Sequence, residues 1–349
     1  MNPLVIGNKT AAIPIIQGGM GVGVSMGKLS GAVAKEGGIG IISTAQIGFY
    51  MADFPHNPKE CNLKAIEEQL LLARQLSGGN GLVGANIMVA LADYHAHVRQ
   101  AVACGADVII SGAGLPLDLP ALTAGSDVKI APIVSSLRAA QVIIKKWLRS
   151  DHRLPDFVVI EGPKAGGHLG FKPEQLPDIP DYDEEIRRII DFVNETAEEN
   201  GTAIPVIVAG GIWDRQDIEH AFSLGASGVQ MASRFVCTHE CDAADAYKQA
   251  YISAADGDLR IIKSPVGMPG RAISNRFLQQ LETETFRPKK CLGCLAGCKP
   301  NEIPYCITER LIMAVQGDVD NGLLFCGANA GRIDRIVSVH ELMQELASS

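Results

Sequence analysis

The sequence predicts an α/β protein whose main body is a closed (β/α)8 barrel, the TIM barrel, and three observations support this fold class. Short apolar runs alternate with longer segments of helical period, as repeated βα units require. Eight such runs occur, which is the number of strands that closes this barrel. In EGGIGIIS, CGADVIIS and LGASGVQMA a helical segment ends in glycine and a strand begins at once, as in a short helix-to-strand turn. A doubly wound parallel sheet is the alternative.

The predicted strands follow one another along the chain, and a helical segment lies between each strand and the next. In order, they are Ile13–Ile16, Ile39–Ser43, Leu82–Met88, Asp107–Ser111, Val128–Val134, Phe157–Glu161, Ile204–Ala209 and Gly228–Ala232. Residues 183–200 illustrate the helices, because their apolar side chains recur at the spacing of one helix face. Those side chains are Ile186, Ile189, Ile190, Val193 and Ala197.

The chain has one plausible domain boundary. No linker rich in Pro, Gly or Ser interrupts the first 270 residues, whereas TETFRPKK near residue 285 leads into a segment with four cysteines. We therefore expect residues 1–285 to form the barrel. Residues 286–349 are expected to be a small C-terminal extension that contains the cysteines and a late glycine-rich loop.

Composition and charge exclude several classes of protein. Apolar residues make up 47% of the chain, so there is enough material for a core. The net charge is −8 and no basic block occurs, which argues against nucleic-acid binding. No apolar stretch is long enough to span a membrane, and the N-terminus does not resemble a signal peptide. We expect a cytoplasmic protein that acts on a small molecule, with a homodimer as the default assembly.

The loops that follow the predicted strands contain the candidate ligand-binding residues, because this face of a (β/α)8 barrel carries the active site. After the first strand come Gln17, Gly18, Gly19 and Met20; the third strand contains Asn86; the seventh ends at Gly210 and Gly211; and the eighth leads into Gln230, Met231, Ala232 and Ser233. Small residues let a flat ligand approach the backbone, and strand-end glycines suit a phosphate. The alternatives are an ordinary tight turn, a core amide and packing glycines.

The loop after the sixth strand contains the candidate catalytic residue. His168 follows Gly166 and Gly167 in KAGGHLG, and it is the only one of the eight histidines in such a loop at the catalytic face. Its ordinary pKa of about 6.5 suits proton transfer near neutral pH, so we predict that His168 is a general base.

Several of these segments together resemble the nitronate monooxygenase family, formerly called 2-nitropropane dioxygenases, which is similar to the FMN-dependent enoyl-acyl-carrier-protein reductase II enzymes. They are PIIQGGMG, GANIMVA, AGGHLG, PVIVAGGI, GASGVQMASRF and LLFCGANAG. The resemblance implies that FMN is the cofactor and that His168 is the catalytic histidine. It places the flavin ring against Gly18, Gly19 and Met20, its polar edge near Asn86, and its phosphate on Gly167, Gly210, Gly211, Gln230 and Ser233. Lys164 departs from the family pattern, in which this position is often Glu.

The chain also contains a cluster of cysteines that simple members of that family lack. Cys291, Cys294, Cys298 and Cys306 lie in CLGCLAGCKPNEIPYC, a compact set of the kind that ligates iron and sulfide. The segment is similar to the cluster segment of FMN barrel enzymes of the dienoyl-CoA reductase type. We expect a [4Fe-4S] cluster; structural zinc, and reduced thiols or a disulfide, are the alternatives.

Three functions remain open at this point. The first is oxidation of alkyl nitronates by FMN with His168 as the base. The second is NAD(P)H-dependent reduction of an enoyl or other activated alkene, with FMN and an iron–sulfur cluster. The third is a non-catalytic flavin or redox-sensing module.

Overall fold

The computed structural model describes residues 1–172, 174, 176, 182–288 and 290–348. In chain order the strands are β1 (Leu4–Ile6), β2 (Lys9–Ala11), β3 (Ile15–Gln17), β4 (Ile39–Ser43), β5 (Leu82–Met88), β6 (Val108–Gly112), β7 (Lys129–Val134), β8 (Val158–Glu161), β9 (Gly167–His168), β10 (Val206–Ala209), β11 (Gly228–Met231), β12 (Leu259–Lys263) and β13 (Pro269–Ile273). The helices are α1 (Gly27–Lys35), α2 (Pro58–Ser77), α3 (Tyr94–Ala103), α4 (Leu119–Leu122), α5 (Leu137–Asp151), α6 (Asp183–Glu199), α7 (Arg215–Ser223), α8 (Ser233–Val236), α9 (Asp245–Ser253), α10 (Arg276–Gln280), α11 (Ile307–Val315) and α12 (Val339–Ala347).

Eight parallel strands form a closed barrel, which confirms the predicted fold class. Around the barrel the order is β3, β4, β5, β6, β7, β8, β10 and β11, and β11 pairs again with β3. The predicted strands differ from the observed ones by no more than two residues at either end. Strands such as β4 and β6 are buried along their whole length, as parallel strands covered on both faces are.

The interior of the barrel is an apolar core that a hairpin covers at its N-terminal end. Side chains such as Ile16, Ile41 and Ile110 point into one buried cluster with Leu4 and Ile6 of the β1–β2 hairpin. The hairpin packs where the barrel strands begin, so the opposite end, where they finish, is left as the open mouth.

The C-terminal helix α12 completes the outer ring of helices. It contacts α1 and α7, and Leu342, Met343 and Leu346 on its inner face belong to the main core. Its first turn is capped, since Ser338 Oγ accepts a hydrogen bond from the Glu341 N–H at 3.1 Å. The end of the chain is therefore part of the barrel's packing.

A small second core lies over the mouth of the barrel. Strands β12 and β13 pair antiparallel, and β13 also pairs with the two-residue strand β9. The buried side chains of this core come from both sides of the boundary expected near residue 285; they are Ala272, Phe277, Leu278, Tyr305, Ile307 and Leu323. We call β12, β13 and this small core the roof. It places residues 259–288 and 290–325 next to the loops of the barrel.

Across the part of the chain that the structure describes, none of the helices combines the length and the apolar composition needed to cross a membrane.

We predict that Leu342→Ala lowers the free energy of unfolding by about 2–4 kcal/mol, because it leaves a cavity between α12 and the barrel. The control is Leu71→Ala on α2, whose side chain is 66% exposed, whereas Leu342 is 0% exposed. This control should change stability by less than about 0.5 kcal/mol. Urea unfolding followed by circular dichroism measures both; equal effects would show that α12 does not contribute to the core.

Candidate active site

A cavity of about 230 Å³ opens at the mouth of the barrel, where the strands end. Its lining comes mainly from Asn86 and Met88 of β5, from the loops after β3, β8, β10 and β11, and from residues 325–329 of the late glycine-rich loop. All but one of the predicted site residues of the barrel loops line it: Gly18, Gly19, Met20, Asn86, Gly166, Gly167, His168, Gly210, Gly211, Gln230, Met231, Ala232 and Ser233. Closure of the barrel thus brings together loops that lie far apart in the sequence.

Gly19 and Asn86 lie in direct contact on one wall of the cavity. A Cβ atom built on Gly19 would lie 2.3 Å from the Cβ of Asn86, a distance that real side chains do not reach. Only glycine therefore allows this approach of the β3 loop to β5. Among the hydrogen bonds of the described residues, none uses the Asn86 side-chain amide, so this amide can bond a ligand in the cavity.

The two predicted glutamines have different surroundings. Gln17 does not line the cavity: it is fully buried, and its side chain accepts a hydrogen bond from the Ile41 N–H at 3.1 Å and donates one to the carbonyl of Gly18. Gln230 does line the cavity, and its buried Oε1 has no hydrogen-bond partner in the described structure. A buried acceptor without a partner is costly, so Gln230 indicates that a polar ligand occupies this place.

The late glycine-rich loop closes one side of the cavity through hydrogen bonds to two barrel loops. The N–H of Gly327 donates to Ser233 Oγ at 2.9 Å, and Asn329 Nδ2 donates to the carbonyl of Gly211 at 2.8 Å. The N–H of Ala328 donates to the carbonyl of Lys164 at 3.0 Å. The loop is therefore held against the strand ends at which a phosphate was predicted.

His168 lies at the edge of the cavity in strand β9. Its ring meets that of Phe325 edge to face, with 5.0 Å between the ring centroids, and its Nε2 lies 2.8 Å from Ser264 Oγ. Burial disfavours the charged imidazolium and lowers the pKa of His168 to about 4. The side chain is therefore neutral at physiological pH, the form that can accept a proton.

Arg271 holds the loop that carries His168, and no sequence motif predicts it. Its guanidinium donates to the carbonyl of Pro163 at 3.0 Å and to the carbonyl of Ala165. The arginine belongs to β13, outside the barrel, so the barrel pattern contains no signal for it. The residues that line the cavity and were not predicted include Glu161, Trp213, Arg234, Tyr247, Tyr251 and Phe325.

Glu161 contributes the one carboxyl group among the described residues that line the cavity. It is the last residue of β8 and pairs in register with Ala209 of β10. Desolvation raises the pKa of Glu161 to about 7, so the group can exchange a proton near neutral pH. Its position at the carboxyl end of a barrel strand was a signal that could have identified it.

The four cysteines of the C-terminal segment lie close enough to influence one another. Cys294 is within electrostatic range of Cys291, Cys298 and Cys306, although within the described ranges no three His, Cys, Asp or Glu side chains gather as ligands of one ion. Burial raises the pKa of Cys294, Cys298 and Cys306. The [4Fe-4S] cluster on Cys291, Cys294, Cys298 and Cys306 stays a prediction.

The cysteine segment packs on the barrel through backbone hydrogen bonds. The N–H of Ala92, in the loop after β5, donates to the carbonyl of Cys294 at 3.2 Å, and the N–H of Ala296 donates to the carbonyl of Ala90 at 2.9 Å. Thr308 Oγ1 donates to Cys294 Sγ at 3.1 Å.

A cavity with proton-exchanging side chains at the carboxyl end of a (β/α)8 barrel is the arrangement of an enzyme. Residues 2–349 match the nitronate monooxygenase family, and the chain belongs to it. As a member of this family, the protein is a flavin-dependent oxidoreductase. This excludes the third function considered above, a non-catalytic module.

Known proteins resemble this chain both in sequence and in fold. The chain is 24% identical to a probable nitronate monooxygenase of Bacillus subtilis (strain 168), over 95% of this chain and 94% of that protein. It is similar to the structure of FabK from Thermotoga maritima, with a TM-score of 0.72 and 25% identity over 96% of this chain and 91% of that one. Nitroalkane oxidase from Streptomyces ansochromogenes has the same fold, with a TM-score of 0.70 and 19% identity over 96% of this chain and 95% of that one.

We predict that Glu161→Gln stabilises the protein at pH 8 but not at pH 4. The folded-state pKa of about 7 lies above the ordinary 4.5, so wild-type stability falls as pH rises from about 4.5 to 7. Glutamine removes this loss, which we expect to be about 1–3 kcal/mol because the side chain is not fully enclosed. Urea unfolding between pH 4 and pH 8.5 measures the difference.

The matched control for this series is Glu199→Gln, since Glu199 is an exposed carboxylate at the end of α6. Its stability should follow that of the wild type at every pH. A constant difference between Glu161→Gln and the wild type across the series would contradict the raised pKa.

Proposed function

We propose that the protein binds FMN and oxidises alkyl nitronates, with His168 as the proton-accepting residue. The observation that carries this proposal is the convergence of His168, the Gly19–Asn86 wall and Gln230 on one cavity at the barrel mouth. A substrate bound there lies within reach of a neutral histidine whose ring is held by Phe325 and Ser264.

The cavity has residues that suit the flavin ring at one end and the phosphate of FMN at the other. Gly19 gives the wall a flat surface, and Asn86 supplies a hydrogen-bonding group for the polar edge of a flavin ring. The Gln230 side chain lies against Gly18, so we assign its unpartnered Oε1 to the ring rather than to the phosphate that the resemblance implied. At the other end, Gly210 and Gly211 expose backbone groups that suit a phosphate. A Cβ built on Gly211 would lie 2.9 Å from Lys164 Cδ, so the lysine side chain packs beside this end and adds positive charge. Lys164 thus departs from the usual family pattern in a way that suits a phosphate.

In this function the chain binds the substrate and controls its protons. When bound, FMN would supply the redox chemistry by taking electrons from the nitronate and passing them to oxygen. His168 accepts the proton that a neutral nitroalkane carries on the carbon bearing the nitro group, which leaves the nitronate in the cavity. Its neutral state leaves one ring nitrogen unprotonated for this purpose. Phe325 and the roof cover His168 and exclude water from its ring.

A second function is NAD(P)H-dependent reduction of an enoyl compound, with NAD(P)H as the reductant of the flavin. The observation that favours it is the similarity to FabK, an enoyl-acyl-carrier-protein reductase II, over 96% of this chain. In this function an iron–sulfur cluster on Cys291, Cys294, Cys298 and Cys306, which stays a prediction, would exchange electrons with the flavin.

An anaerobic absorption spectrum of the purified protein separates the two functions. We expect a flavin spectrum that a nitronate bleaches, and that NAD(P)H alone leaves oxidised. Bleaching by NAD(P)H alone would overturn nitronate oxidation as the main activity and favour the enoyl reductase. A protein that lacks flavin and does not take up added FMN would contradict both functions.

We predict that His168→Ala lowers kcat for oxidation of a neutral nitroalkane by about 10²–10⁴-fold, the usual contribution of a general base. A nitronate prepared in advance should lose less activity, because it has already lost the proton. Flavin content should not change, because the proposed flavin contacts lie elsewhere. The control is His95→Ala, which removes an exposed histidine on α3, outside the cavity. Steady-state kinetics and flavin absorbance measure both variants, and wild-type turnover in His168→Ala would remove the histidine from the mechanism.

A further inference from the structure

Trp213 lies at the end of the cavity that suits a phosphate, and its ring is anchored by two arginines. It belongs to the loop that joins β10 to α7, residues 210–214, which we call the β10 loop, and it lines the cavity. The guanidinium carbons of Arg234 and Arg332 lie 4.9 Å and 4.7 Å from the centre of the indole ring. At these distances each cation is attracted by the ring, so two cation–π contacts hold the tryptophan.

The backbone around Trp213 is also held by hydrogen bonds. The N–H of Trp213 donates to Asp217 Oδ2 at 2.7 Å, and its carbonyl accepts a hydrogen bond from Arg234 Nη1 at 3.1 Å. Two residues earlier, the carbonyl of Gly211 accepts a hydrogen bond from Asn329 Nδ2 at 2.8 Å. All three partners lie outside the β10 loop, so its conformation depends on other parts of the chain.

The β10 loop needs such contacts because two consecutive glycines give it little conformational preference of its own. Gly210 and Gly211 have φ angles of +91° and +92°, a region that glycine enters without steric cost. The same freedom means that the local sequence does not fix the directions of the N–H groups in the loop. A loop that is already ordered loses less entropy when a ligand binds to it, so the outside contacts favour binding.

Both arginines have carboxylate partners that hold them in place. Nη1 and Nη2 of Arg234 lie 2.8 Å from Oε1 and 2.8 Å from Oε2 of Glu345, a bidentate pair with the C-terminal helix α12. Arg332 Nη2 lies 3.6 Å from Asp214 Oδ2. Because these carboxylates balance the two positive charges, the arginines serve to hold the tryptophan rather than to bind an anion directly.

We propose that Trp213 is a positioning residue for the phosphate of FMN, and that Arg234, Arg332 and Glu345 act through it. The contacts of its ring and backbone fix the β10 loop in the conformation that receives the phosphate. Through Glu345, the last helix of the chain takes part in cofactor binding. This inference rests on the proposed function because it takes FMN as the ligand, but it does not depend on the substrate that is oxidised.

FMN and riboflavin share the flavin ring and differ in the phosphate, so their relative affinities report on the phosphate end of the cavity. The whole chain is freed of flavin by dialysis and titrated with each compound, and quenching of flavin fluorescence gives the two Kd values. We expect the wild type to bind FMN more tightly than riboflavin. The ratio of the riboflavin Kd to the FMN Kd should fall about ten-fold in Trp213→Leu, which loses both cation–π contacts, and about three-fold in Arg332→Ala and in Glu345→Gln.

The matched control is Arg260→Ala. The side chains of Arg260 and Arg332 are both 47% exposed and each pairs with a carboxylate, but Arg260 lies on β12 and pairs with Glu282. Its ratio should equal that of the wild type. Trp213→Phe keeps an aromatic ring for both arginines and should lose less than Trp213→Leu. If Trp213→Leu does not fold, the variants at Arg332 and Glu345, whose side chains are about half exposed, still decide the question.

An unchanged ratio in Arg332→Ala, in Glu345→Gln and in every folded variant of Trp213 would overturn the proposal. A wild type that binds FMN and riboflavin equally would also overturn it. A wild type that binds neither flavin would contradict the proposed function as well. If the ratios change as expected but a nitronate does not bleach the flavin, only nitronate oxidation is contradicted, so the two failures are distinguishable.

Discussion

The fold and the candidate site both require the last barrel strand to pair with the first. Val229, Gln230 and Met231 of β11 pair in register with Ile15, Ile16 and Gln17 of β3, and this closes the barrel. Closure leaves the sheet of the barrel without a free edge. It also brings the carboxyl ends of all eight barrel strands together in one ring. Gln17 shows how the site depends on it: its buried amide bonds the backbone at the start of the β3 loop, beside the glycines that line the cavity.

The roof converts this ring of loops into an enclosed site. Residues 259–325 add β12, β13 and a small core, and from them come Ser264, Arg271 and Phe325, all placed against the loop of His168. Enclosure has an electrostatic consequence, because loss of water moves the pKa of His168 down and that of Glu161 up. The same covering therefore keeps the histidine neutral and leaves the carboxyl group able to exchange a proton near pH 7.

The cysteine segment has a ligand-like spacing and a defined place on the barrel. Its four cysteines lie within sixteen residues, and Cys294 is within electrostatic range of the other three. Backbone hydrogen bonds join the segment to the loop after β5, so its position is fixed by contacts that do not involve the thiols. The spacing predicts a [4Fe-4S] cluster, and the cluster stays a prediction.

Local sequence patterns were enough to predict the barrel and most of its loops, because the spacing of apolar residues and the glycines that end helices are local properties. The eight strands, the Gly-rich turns and the position of His168 followed from such patterns. They did not reveal that Gln17 points into the wall while Gln230 faces the cavity, since both are polar residues at strand ends. Nor did they reveal Ser264 or Arg271, which contact the loop of His168 from far along the chain. Contacts between distant segments are decided by tertiary packing, and only the folded chain shows which side chains meet.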